Sequence, residues 1–249
     1  MLAIWIWTLA SVIAISLVSF IGVIALVVRR ERLQPTVFLL VSLAVGAMLG
    51  DTFLHLLPAS FERTGDTLTT SLSCLSGIMI FFVLEKFLLW RHDHAAEHNH
   101  PIHPVGYINL VADGLHNFFD GILVGASYLV SVPVGLATTL AVFLHEIPQE
   151  IGDFGVLLHA GFTRSRALWM NFLTATLAIA GAVLSILVGI RVKEFSTVVL
   201  PLTAGGFIYI AGSDLVPELH KERQPPQAAL QLLGIGLGIG LMVLLIWVE

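Results

Sequence analysis

Residues 105–159 read VGYINLVADGLHNFFDGILVGASYLVSVPVGLATTLAVFLHEIPQEIGDFGVLLH. Two apolar runs meet at Ser131 to Pro133, and each carries a polar cluster near its middle. The first holds His116-Asn117-Phe118-Phe119-Asp120-Gly121, the second His145-Glu146-Ile147-Pro148-Gln149-Glu150. Each run is long enough to cross a bilayer as a helix, which takes about 20 apolar residues. An ionisable residue at that depth costs roughly 2.5 to 3.5 kcal/mol on insertion scales and marks a functional site by default. Imidazoles and carboxylates that share this penalty are most simply explained by a metal ion held inside the membrane.

The remainder of the chain has the same character. Of its 249 residues 57% are hydrophobic and 12% charged, whereas a soluble domain carries about 25% charged residues. The mean hydropathy is +0.92. Apolar runs over roughly 2–28, 36–58, 68–90, 105–131, 133–159, 166–190, 196–218 and 227–248 predict an all-α membrane protein of eight transmembrane helices. The whole of 1–249 reads as one transmembrane domain. Arg29, Arg30, Arg32, Lys86, Arg91, Arg164, Arg166, Lys221 and Arg223 fall on one side, and Arg63, Arg191 and Lys193 on the other. The positive-inside rule makes the first side cytoplasmic and places both termini outside.

A net charge of -5 carries no signature of nucleic-acid binding, and the single Cys74 excludes a multi-thiolate zinc site. Met1 to Trp7 has no basic residue, so the N-terminus reads as the start of a span and not as a cleaved signal. Gly46/Gly50, Gly121/Gly125, Gly234/Gly238 and Gly236/Gly240 have the small-xxx-small spacing that lets helices pack closely in lipid. The polar segment 91–104 is expected to be a cytoplasmic loop. Its His92, His94, His98, His100 and His103 are five of the ten histidines and suit weak metal capture.

Depth sets the site. At 1.5 Å per residue His116 lies roughly 16 Å and Asp120 roughly 22 Å above the inner end of the fourth span. Gln149 lies roughly 15 Å, and His145 and Glu146 roughly 20 Å, above the inner end of the fifth. The two clusters therefore stand at matching heights on antiparallel neighbours. His116 and Asp120 share one helix face, as do His145 and Gln149, while Glu146 and Glu150 share the adjacent one. Converging faces of this kind offer a divalent ion four to six nitrogen and oxygen ligands, fitting Zn²⁺, Fe²⁺ or Mn²⁺. Pro148 removes one backbone hydrogen bond and frees the carbonyl of Leu144 within the cluster.

Further polar residues extend the line. Asp51 is expected level with Asp120, and His55 roughly 6 Å further out. Asp113, Asp153, Asp214 and Glu218 fall below the cluster, and Asn171 is a possible oxygen donor from the sixth span. Such graded weak sites are what a cation pathway requires.

The stretches Asp113–Gly121 and His145–Phe154 resemble the fourth- and fifth-span motifs of the ZIP metal transporters, in the branch whose fifth-span signature is HExPHExGD. Gly50–Pro58 and Asp214–Glu218 resemble that branch's second and seventh spans, and the His-rich loop is typical. The resemblance implies uptake of Zn²⁺, or of Fe²⁺, Mn²⁺ or Cd²⁺, toward the cytosol. It further implies a 3+2+3 helix arrangement with inverted repeats, elevator-like or rocking exposure of the site, and in many members a homodimer. Carried over by position, the metal ligands would be His116, Asn117, Asp120, His145, Glu146 and Gln149. Gln149 stands where the signature has a second histidine, and Glu150 is the alternative donor. The metal is cargo, and no organic cofactor is expected. A short chain without an ectodomain fits the cytoplasmic membrane of a bacterium.

Two other readings compete. His145-Glu146-Ile147-Pro148-Gln149 is an HExxH zinc-hydrolase motif without its second histidine, which would make the chain an intramembrane hydrolase. Alternatively the site binds metal without translocating it, as a sensor.

Overall fold

A bilayer offers no water to unpaired backbone groups, so an apolar chain of this composition satisfies them within helices. The computed structural model describes residues 1–22, 30–94, 104–192, 195–221 and 225–247, and among them every regular element is helical. In chain order these are α1 (Leu2–Leu17), α2 (Arg30–Asp51), α3 (Leu57–Thr64), α4 (Thr67–His94), α5 (Pro104–Val130), α6 (Val132–His159), α7 (Arg164–Ala175), α8 (Leu177–Arg191), α9 (Phe195–Ile210), α10 (Val216–Leu219) and α11 (Pro225–Ile246). Six helical stretches are long and apolar enough to cross a membrane: Leu2–Ile21, Thr36–Thr64, Thr67–Leu84, Arg164–Arg191, Phe195–Leu219 and Pro225–Ile246. α5 and α6 are not among the six, and they are the two helices that carry the polar motifs.

Local chemistry explains the boundaries. Ser131 is extended, and its hydroxyl accepts from the Val134 amide, so α6 begins one residue after α5 ends. Gly65, at φ 63°, closes α3 in the left-handed conformation. Asp66 then accepts from the Leu68 and Thr69 amides at the head of α4. Together with the Thr69 hydroxyl, these bonds hold the Asp66 carboxyl below its usual range. α4 continues to His94, so the first residues of the expected 91–104 loop are helical. The side chains of His92 and His94, and all of His98, His100 and His103, lie outside the described residues.

Two rods are interrupted in the same way. A π-helical turn, Thr52–Leu56, joins α2 to α3, and another, Ala211–Leu215, joins α9 to α10. Each turn is followed after one residue by a proline, Pro58 or Pro217. Proline has no amide to complete the regular ladder, and a wider turn absorbs the mismatch.

Three helix pairs are held by reciprocal glycines. Between α2 and α11, a Cβ on Gly46 would lie 2.1 Å from the Ile235 carbonyl oxygen, and one on Gly238 2.3 Å from that of Leu43. Between α4 and α9 the corresponding distances are 2.2 Å for Gly77 to Leu202 and 2.0 Å for Gly205 to Cys74. Between α5 and α8 they are 1.9 Å for Gly121 to Ala178 and 2.0 Å for Gly181 to Phe118. Gly236 and Gly240, expected to pack like the others, meet nothing within 4 Å. They lie on the opposite side of α11 from Gly234 and Gly238, because residues two apart do not share a helix face. The main core gathers where the bundle is densest, around Val12, Met48, Leu56, Val142 and Phe207.

Candidate metal centre

α5 and α6 cross side by side, and their polar residues meet. His145 Nε2 lies 3.1 Å from Asp120 Oδ2, 3.4 Å from Glu146 Oε1 and 3.4 Å from His116 Nε2. His116 Nε2 is 3.6 Å from both Asp120 Oδ2 and Glu146 Oε1. One donor atom from each of the four residues falls within 4.8 Å of the other three. His145 Nδ1 donates to the Ala141 carbonyl at 3.2 Å, which orients Nε2 toward the group. Asp120 Oδ1 and both Glu146 oxygens are buried without a hydrogen-bond partner. Two carboxylates with free lone pairs, beside two imidazoles and with no described Lys or Arg paired to them, match the ligand chemistry of a divalent cation.

The group is sealed on all sides but one. The side chains of His145, Asp120 and Glu146 are 0–1% exposed, and that of His116 is 17% exposed. His116 lines a cavity of about 580 Å³. Asn109, Pro148, Gln149, Asp153, Asp214 and Glu218 also line it. Glu218 pairs with Lys221.

Of the other expected ligands, Asn117 keeps its buried Oδ1 without a hydrogen-bond partner, as Glu150 does its Oε1. Asn117 is one residue on from His116 and turns to Asp113, donating Nδ2 to its carboxylate at 2.8 Å. Gln149 lines the cavity. Glu150 is fully buried and accepts from Asn171, which is thereby the partner of a carboxylate in α6. Asp113 also accepts from the Thr174 hydroxyl, and Asp153 from Asn109 at 3.1 Å.

Asp51 and His55 occupy the opposite side of the group from the cavity. Thr138 donates to Asp51 Oδ2 at 3.0 Å, and His55 Nε2 donates to the Met242 carbonyl at 3.0 Å. Thr138 precedes His145 by two turns, so Asp51 lies roughly 10 Å beyond the group and not level with it. Counting the rise from assumed helix starts neglected the stagger between α2 and α6. The sequence reading had passed over Asn109, Thr138 and Thr174. Asn109 was legible two turns before His116 on the same face, whereas Thr138 and Thr174 carry no such signal in an apolar helix.

A family model described as ZIP zinc transporter matches residues 2–104 and 89–246. The chain is 41% identical over 219 residues to zinc transporter ZIP13 of Pongo abelii, covering 82% of this chain and 65% of that protein. It is 30% identical over 335 residues to zinc transporter SLC39A7 of Homo sapiens, covering 98% and 71%. It is 28% identical over 316 residues to zinc transporter zipt-7.1 of Caenorhabditis briggsae, covering 100% and 80%. With apolar helices around a buried His, Asp and Glu group, and with matches along nearly its whole length, the chain is a multi-pass integral membrane protein that belongs to the ZIP zinc transporter family.

Proposed function

We propose that the chain carries divalent transition-metal cations, zinc first among them, into the cytosol through the group formed by His116, Asp120, His145 and Glu146. The observation that carries this is the convergence of four donor atoms within 4.8 Å, one of them on His116, which lines a cavity. Family membership makes it a transporter and not an enzyme, and the hydrolase reading falls with it. Glu218, which lines the cavity, pairs with Lys221, one of the basic residues that the positive-inside rule assigns to the cytoplasmic side, which supports release toward the cytosol. Asn109, Gln149, Asp153, Asp214 and Glu218 then receive the ion along the way, and Asp51 and His55 belong to the outer half of the route.

In the arrangement we favour, α5 and α6 also cross the membrane, giving eight spans in a 3+2+3 order with both termini outside. Inverted repeats are supported by residue spacing. One constant shift in number carries Leu43, Gly46, the turn Thr52–Leu56 and Pro58 onto Leu202, Gly205, the turn Ala211–Leu215 and Pro217. A second carries Cys74 and Gly77 onto Ile235 and Gly238, which are the partners of those same glycine contacts.

The test is flux in proteoliposomes loaded with purified protein. His116→Ala and Glu146→Ala are each expected to abolish ⁶⁵Zn uptake while inserting normally. Near-normal uptake in both variants refutes the site. Metal binding without any flux in the parent protein would favour the sensor reading.

A further inference from the structure

Side-chain hydrogen bonds and close glycine contacts sort the helices into two bodies. α1, α5, α6, α7 and α8 form the first. Ser11 bonds Tyr128 at 2.8 Å, Thr139 donates to Tyr128 at 3.3 Å, and Ser16 donates to the Ala175 carbonyl at 2.8 Å. Thr174 and Asn171 donate to Asp113 and Glu150, and the Gly121 and Gly181 contacts fix α5 on α8. The second body comprises α2, α3, α4, α9, α10 and α11. Its ties are the two other reciprocal glycine pairs, the bond from His55 to the Met242 carbonyl, and one of 3.1 Å from Gln231 to the Leu219 carbonyl.

The metal group lies wholly on the first body, and the cavity runs between the two. Its lining comes from both, with Asn109 on the first and Ile210 and Asp214 on the second. Among the described residues, the hydrogen bonds that cross the boundary on the opposite face include two. One is Thr138 to Asp51, both 0% exposed. The other, at the rim, is Arg63 to the Val130 carbonyl at 3.1 Å.

Residue spacing relates the two faces. The shift that carries Gly46 onto Gly205 also carries Asp51 onto Ile210. The shift that carries His116 onto His145 also carries Asn109 onto Thr138. The counterpart of the closed Asp51–Thr138 contact is therefore the Ile210–Asn109 pair, and both of those residues line the open cavity. The same interface is shut on one face and parted on the other.

We infer that the Asp51–Thr138 contact is the latch that seals the metal group from the Arg63 face, and that it parts when Asn109 and Ile210 close together. This assignment rests on the transport reading and names which contact must break in each cycle. The Arg63–Val130 bond braces the latch at the rim. α2 and α6 bring Ala47, Ala137 and Ala141 into the same buried cluster.

The test uses the full chain carrying Cys74→Ala, which removes its one thiol. Asp51→Cys with Thr138→Cys is reconstituted and treated with a short bifunctional thiosulfonate before zinc is added. Cross-linking is expected to lower Zn²⁺ flux at least tenfold, and reductant to restore it. Full flux in the cross-linked protein overturns the latch. Because the double substitution can itself slow transport, Thr138→Cys alone is titrated with a membrane-impermeant maleimide from the Arg63 face. Labelling is expected to rise at least threefold when a zinc gradient drives turnover, and failure to label under any metal condition also overturns the latch. A Cys74→Ala parent that is folded and inserted but carries no metal would instead sink the transport reading.

Discussion

Gln149 sits one turn beyond His145 and lines the cavity into which the metal group opens. An amide binds zinc more weakly than an imidazole does. Gln149→His is expected to tighten Zn²⁺ binding roughly tenfold, equivalent to about 1.4 kcal/mol, and to slow flux. Calorimetric titration in detergent alongside proteoliposome uptake checks both effects. The two imidazoles set the pH response. Each must be unprotonated to give its lone pair to the ion, so protons compete with metal. Zinc affinity is expected to fall as pH drops from about 7.5 to about 5.5. Affinity that stays flat or rises across that interval would count against His116 and His145 as ligands.

Glycine contacts make their prediction at the level of helix pairs. A methyl group on Gly121 would stand 1.9 Å from the Ala178 carbonyl oxygen, so α5 and α8 would have to separate. Gly121→Ala is expected to lower stability by about 1–3 kcal/mol, the usual consequence of overpacking. Gly240→Ala meets nothing within 4 Å and is expected to leave stability unchanged. Thermal unfolding of the two variants in detergent separates these outcomes. The paired π-helical turns belong to the same scale. Both follow from a proline that cannot complete the ladder, and both stand in rods that border the α5–α6 pair.

At the level of the whole molecule, the metal group is sealed on one side and open on the other, an arrangement that suits a carrier with one gate closed at a time. Among the described residues, the four donors come from α5 and α6 alone. Deletion of residues 92–103 is accordingly expected to change the rate of uptake or its regulation while leaving transport intact. Complete loss of uptake in a folded deletion variant would make that segment part of the conducting route.

Much of this was legible in the chain itself. Apolar runs of bilayer length dictated helices, because no other open-chain structure satisfies its backbone in lipid. The spacing of His116 with Asp120, and the adjacency of His145 and Glu146, put four donors at one height on neighbouring helices, since helical rise and periodicity are fixed by covalent geometry. Tertiary packing alone decided which remaining polar residues joined them. Asn117 and Glu150 are as close in sequence as those four, yet one donates to Asp113 and the other accepts from Asn171. Stagger and rotation of packed helices depend on contacts between residues far apart in the chain, such as Gly121 against Ala178 and Thr138 against Asp51. Those contacts leave no periodic trace, so the line of the cavity and the side on which it closes emerged only from the folded molecule.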